Sequence, residues 1–197
     1  CLFNAGPEDV DGYGNHVIEV KNSNGIITQA MVLIDSQAYV DDTIIESIKG
    51  TYDNIHENQI EWYKNSVLAI DAANKAVNPE YPMFTSLAFF HIPLEEYGIA
   101  WNEYKDNGYN DTENVKYYDG WYHESDEKSY CGIYPDNLFE TMLELGSTKG
   151  IFCGHDHVNN ASIEYKGIRL TYGMSIDYLA YLELNKEGAQ RGCTVIT

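Results

Sequence analysis

Met83-Phe84-Thr85-Ser86-Leu87-Ala88-Phe89-Phe90 runs straight into His91-Ile92-Pro93, and Gly150-Ile151-Phe152-Cys153 runs as directly into Gly154-His155-Asp156-His157. Each is a short apolar, β-rich run of the kind that makes a buried strand, and each ends by delivering imidazoles to its carboxyl end. Crevices beyond the carboxyl ends of strands are where α/β sheets hold their sites. These two stretches therefore predict both the fold class and the place of the chemistry.

Working outward, His16-Val17-Ile18-Glu19-Val20 and Ile26–Ile34 are two further β-rich runs, separated by a turn that ends in Asn24-Gly25, a strong hairpin signal. From Glu57 to Asn74, Ile60, Tyr63, Val67 and Ile70 recur at steps of three and four, the stripe of an amphipathic helix laid on a sheet. A second helix is expected from about Asp136 to Leu145, a short helical patch at Ile44–Ile48, and a hairpin over Ser162–Tyr165 and Ile168–Tyr172. Strand-like segments at 179–184 and 193–197 close the chain. Residues 95 to 130, rich in Tyr, Trp, Asp, Glu and Asn, show no clear period and read as a long ordered loop. The mixture of strands, helices and hairpins predicts an α/β fold, a layered mixed β-sheet with flanking helices, forming one domain over residues 1–197.

Composition bounds the function classes. The chain has 197 residues, 12 Lys+Arg against 31 Asp+Glu, a net charge of −19 and 44% hydrophobic residues. That is enough apolar content for a core, and a surface negative enough to disfavour nucleic-acid wrapping and docking on anionic lipid. No run reaches the roughly 18 apolar residues of a membrane span, and the start has no basic, apolar leader. The 4 cysteines form no CxxC pair, so neither a zinc ribbon nor a disulfide scaffold is written here.

Neutral imidazole suits zinc, iron and similar ions, and Gly154-His155-Asp156-His157 after a strand has little packing merit of its own. His155 and His157 diverge from one tight turn and could serve two neighbouring ions. Asp156 is read as an acid orienting an imidazole, with a turn former as the other reading. His16, His56 and His123 are read as ordinary hydrogen-bonded histidines, Asp35-Ser36 as a cap or turn, and the acids from Glu95 to Glu127 as a solvated face.

Phe89–Tyr97 and Cys153–Asn159 resemble the last two metal motifs of calcineurin-like metallophosphoesterases, in particular the purple-acid-phosphatase-like branch. Ile34-Asp35-Ser36, Tyr52-Asp53 with Gln59–Tyr63, Ala100-Trp101 and Arg191-Gly192 resemble that branch in order and spacing. The resemblance implies that His91 and His155 bind one metal and His157 the other, in a site holding two ions of Fe, Mn or Zn. It implies a small phosphoester substrate. In the aromatic segment Tyr97 and Trp101 lie nearest to His91 in sequence, and they are expected either to meet that substrate or to pin the segment onto the sheet. The family's opening motifs, Asp-x-His and Gly-Asp-x-x-Asp, are not in this sequence, and Gly14-Asn15-His16 is followed by Val17 where the third motif needs an acid. The chain is thus expected to be the C-terminal part of an αββα phosphoesterase sandwich, inactive alone, with an exposed sheet edge prone to self-association. A second reading is a noncatalytic binding module on a degenerate fold, using the Tyr/Trp-rich acidic segment. A third is a mononuclear site of three histidines.

Overall fold

The computed structural model describes residues 3–40, 51–124, 127–176, 181 and 191–197. The expected patch at 44–48 and all of the expected strand at 179–184 except Tyr181 lie outside the described residues. The elements run β1 (His16–Lys21), β2 (Ile27–Leu33), α1 (Glu57–Val77), β3 (Thr85–Phe89), α2 (Glu95–Asp106), β4 (Val115–Asp119), α3 (Leu138–Leu145), β5 (Thr148–Cys153), β6 (Ser162–Tyr165) and β7 (Ile168–Tyr172). The strands form one seven-stranded mixed sheet, order β1-β2-β3-β5-β7-β6-β4. Among the described residues, no helix is long and apolar enough to cross a membrane.

The topology follows from the connections. β2, β3, β5 and β7 are parallel neighbours, and β1 and the β6–β4 pair flank them antiparallel. β1–β2 and β6–β7 are joined by turns too short for a crossover, so they must be hairpins. In the second, Lys166 and Gly167 both have positive φ, 49° and 88°, the backbone that matches the twist of a two-residue hairpin. The chain passes from β2 to β3 through α1, and from β3 to β5 through a segment holding α2, β4 and α3. Parallel neighbours end on the same side, which brings together the residues that follow β2, β3 and β5.

The α1 stripe buries Ile60, Tyr63, Val67 and Ile70 as the spacing predicts, and adds polar anchors. Asn74, 2% exposed, donates from Nδ2 to the Ile27 carbonyl at 2.7 Å and accepts from the Ile27 N–H at 2.8 Å. Tyr63 OH meets Thr148 Oγ1 at 2.7 Å, within a buried hydroxyl group set that includes Ser86. These bonds satisfy polar atoms that would otherwise be stranded in the core.

One sheet face carries the core, with Ala30, Val32, Ala88, Ile151, Leu170 and Tyr172 buried. On the opposite face, the register lines up Ile18, Met31 and Leu87 in one row and Leu33, Phe89 and Phe152 in the next. Phe89 and Phe152 stack at 5.2 Å between centroids, yet Ile18 is 41% and Leu33 36% exposed.

Three expectations need correction. Residues 95–130 are not one long loop: α2 and β4 lie within them, and Tyr97, Ala100, Trp101 and Tyr104 form a buried helical stripe at steps of three, one and three. Residues 193–197 carry no strand despite their β-rich composition. The acids from Glu95 to Glu127 are not uniformly solvated, because Glu96 and Glu124 are 6% and 9% exposed. Burial raises the carboxyl of Glu96 to about 7, and that of Glu124 also shifts upward.

Candidate metal centre

His91 stands two residues beyond β3, and main-chain bonds fix it from both sides. Its N–H and that of Ile92 donate to Ser36 Oγ, at 3.1 and 2.8 Å, from the segment after β2. Its carbonyl accepts from Gly154 N–H at 3.0 Å, from the turn after β5. The approach of Gly154 is close, since a Cβ there would stand 3.3 Å from His91 Nδ1. Glycine at this point lets the two histidine segments meet.

The next residue, His155, has φ +69°, a left-handed conformation uncommon for a residue with a Cβ. Strained backbone of this kind concentrates at functional sites. The turn aims His155 Nδ1 at His91 Nε2, 3.4 Å away, with the rings at 83°. Tyr52 packs edge-on against His155 at 4.3 Å between centroids, and Tyr39 stacks on Tyr52 at 5.4 Å. His157 lies against the Tyr181 ring at 5.3 Å, and its Nδ1 is buried without a hydrogen-bond partner. The Arg191 guanidinium donates to the Tyr181 carbonyl.

Electrostatics keep two of the rings neutral. Burial, then His91 and His157, push the His155 imidazole down to about 4. Burial, then His157, lower that of His91. Neutral rings at neutral pH keep a free lone pair, the form in which imidazole ligates an ion. The orphaned His157 Nδ1 and this neutral pair fit imidazole-preferring ions by donor chemistry. Yet among the described residues, no group of three or more His, Cys, Asp or Glu could hold an ion. Among the described residues His91, His155 and His157 are not placed together as one three-ligand set.

Asp156 serves the turn and not an imidazole. Its Oδ2 accepts from Tyr172 OH at 2.7 Å, Tyr130 N–H at 3.2 Å and Asn159 Nδ2 at 3.3 Å, while Oδ1 is buried without a partner. Burial raises this carboxyl to about 6, against the pull of the Tyr172 bond. Asn159 extends the staple, its Oδ1 accepting from the N–H groups of His123 and Glu124 at 2.9 and 3.1 Å.

Tyr97 and Trp101 are 1% and 0% exposed, so neither ring offers a face to a ligand. Tyr97 OH donates to the Ile151 carbonyl at 2.9 Å, and Trp101 stacks on Tyr122 at 4.7 Å. They pin α2 to the sheet below the histidines. Ser36 and Tyr52 are the neighbours that sequence reading did not place at the site. Gly154 and Asn159 lay inside the histidine motif, and the structure adds their roles of close approach and bracing.

Imidazoles gathered at the carboxyl ends of adjacent parallel strands, over a mixed α/β sheet, agree with the metallophosphoesterase class to which the motifs pointed. The resemblance to the purple-acid-phosphatase-like branch is supported by comparison with known proteins. The chain is similar to three Arabidopsis thaliana proteins, named probable inactive purple acid phosphatases 28, 29 and 14. Identities are 28%, 28% and 26%, over 87%, 95% and 87% of this chain. The chain spans about two fifths of the length of these relatives, 38%, 44% and 40%. No family model matches it. No solved structure matches it either.

Proposed function

We propose that this chain provides the imidazole side of a dinuclear metal site of the phosphoesterase type, and that by itself it does not hydrolyse esters. The observation that carries this reading is the facing of His91 Nε2 and His155 Nδ1 at 3.4 Å, beyond adjacent parallel strands. His91 and His155 would hold one ion of Fe, Mn or Zn, and His157 the other. Such ions, when bound, supply Lewis acidity toward a phosphoryl group and an activated water. The chain's own residues position the donors: Ser36 and Gly154 hold the His91 backbone, Tyr52 backs the His155 ring, and Asn159 with Asp156 braces the turn.

The remaining ligands would come from a second layer laid on the sheet face where Ile18 and Leu33 are exposed beside the half-buried Phe89 and Phe152. That the similar plant proteins are named probable inactive accords with a chain lacking catalysis of its own. A binding module built on the Tyr/Trp-rich segment has less support, because Tyr97, Trp101 and Tyr122 are buried and leave Tyr109, Tyr118 and Tyr130 as its exposed rings.

Elemental analysis after equilibration with zinc or manganese, run beside hydrolysis of a chromogenic phosphomonoester, tests the reading. Retained metal that is lost in His155→Ala, with no turnover in either protein, is expected. Turnover by the chain alone, or retention unaffected by His155→Ala, would overturn it.

A further inference from the structure

His56, the residue before α1, stands apart from the histidine cluster, and both of its ring nitrogens face carboxylates. Nδ1 is 2.7 Å from Asp11 Oδ2 and Nε2 is 3.1 Å from Asp53 Oδ2. An ionised carboxylate only accepts hydrogen bonds, and a neutral imidazole has a single N–H. Both contacts are hydrogen bonds only when the ring carries two protons. Deprotonation turns one of them into a lone pair facing an anionic oxygen. A helix amino end disfavours a cation, so the two acids are what hold the charge there.

The three partners belong to segments far apart in sequence. Asp11 lies in an N-terminal loop closed by Gly14 N–H donating to the Ala5 carbonyl at 2.8 Å, and its own carbonyl accepts from Asn15 Nδ2 at 2.8 Å. Asp53 follows Tyr52, and its N–H donates to the Ala38 carbonyl at 3.0 Å. On α1, the ring's neighbours in sequence are Glu57, Asn58 and Gln59, and Gln59 Oε1 accepts from the His56 N–H at 2.9 Å. Tyr52 in turn is the wall against His155.

We infer that His56 is a proton-operated clasp, holding the Asp11 loop and the Tyr52-Asp53 segment to the start of α1 as the imidazolium and releasing one of them when it loses a proton. The inference is independent of whether the other histidines bind metal. The direction of titration agrees. Burial lowers the His56 pKa, but the bonds to Asp11 and Asp53 outweigh it and the net shift is upward from 6.5. Asp11 shifts downward from 3.8, through His56 and then Asn58. A raised imidazole contributes stability that is full below 6.5 and is lost as pH rises through the folded value. A lowered carboxyl contributes stability that is present above 3.8 and is lost as pH falls through its folded value. The clasp is closed between these limits.

The test is an NMR titration of the histidine ring protons, with amide hydrogen exchange of Tyr13, Gly14 and Asp53 followed over the same pH range. The resonance that disappears in His56→Gln should titrate above 6.5 in the parent chain, and Asp11→Asn should move its midpoint down. Protection of the three amides should fall in a step at that midpoint, beyond the ordinary base catalysis of exchange. Lysine keeps its charge through this range, so His56→Lys should abolish the step and keep protection at high pH. Asp11 is exposed, so Asp11→Asn provides the test even if His56→Gln does not fold. A His56 midpoint at or below 6.5 that Asp11→Asn leaves unmoved, or protection without a step, would overturn the inference.

Discussion

The left-handed backbone of His155 makes a sharp prediction once the ring is removed from the comparison. His155→Ala and His155→Gly both delete the imidazole, its contact with Tyr52 at 4.3 Å and its approach to His91 at 3.4 Å. They differ by one Cβ at φ +69°. At an ordinary position alanine is the more stable by roughly 0.5–1 kcal/mol, because glycine has more freedom to lose on folding. In the left-handed region a Cβ crowds the following carbonyl at a cost of roughly 1–2 kcal/mol. The difference places His155→Gly ahead of His155→Ala by about 0.5–1 kcal/mol. For a chain of this size that is about 1–4 °C in melting temperature. Calorimetric melting of both variants without added metal reads it directly. An alanine variant melting at or above the glycine variant would show that the turn is not held left-handed, and the strain reasoning would fail.

Glu96 gives a pH-dependent expectation. Its carboxyl is raised from 4.5 to about 7, chiefly by burial, so the unfavourable ionised form grows in as pH rises through that interval and its destabilisation is complete above it. Glu96→Gln should match the parent near pH 4.5 and exceed it at pH 8 by on the order of 1–3 kcal/mol in denaturant unfolding; equal stability at pH 8 would count against the shift. Asn74→Ala removes both side-chain bonds to the Ile27 backbone and strands a buried N–H and a buried carbonyl. A loss of about 2–4 kcal/mol is expected in the same assay, and a loss below about 1 kcal/mol would mean the site rehydrates. The uncovered sheet face should make the chain associate with rising concentration. Light scattering should show Ile18→Lys with Leu33→Lys suppressing that association, and a parent chain that stays monomeric would contradict it.

Much of this was legible because it was local. The Asn24-Gly25 turn, the α1 stripe and the two strands that end in histidines depend on neighbours in sequence, and each formed as read. α2 carried the same three-and-four spacing in Tyr97, Ala100, Trp101 and Tyr104, with Glu95 and Glu96 in its first turn and Lys105 in its last. Its aromatic and Gly98 content lowers intrinsic helix propensity, and its cap residue Leu94 makes no side-chain cap bond, so the start had no sign. Here tertiary burial decides the helix. Residues 193–197 fail the other way, since β-rich composition needs a partner strand, and β1 and β4 hold the sheet edges.

The site divides along the same line. His91, His155 and His157 could be chosen from strand ends and turn chemistry alone. Ser36, Tyr52 and Asn159 reach the cluster only because β2, β3 and β5 end side by side and because the Asn159 turn folds under residues 123 and 124. The carboxyl of Asp156 followed its neighbours Tyr172 and Tyr130 into the fold.

Calorimetric titration of zinc into the chain and into His91→Ala, His155→Ala and His16→Ala reads whether His91 and His155 form one donor pair. Zinc binding should weaken sharply, by tenfold or more, in both of the first two variants and stay unchanged in the third. Binding that survives both His91→Ala and His155→Ala would contradict the pairing.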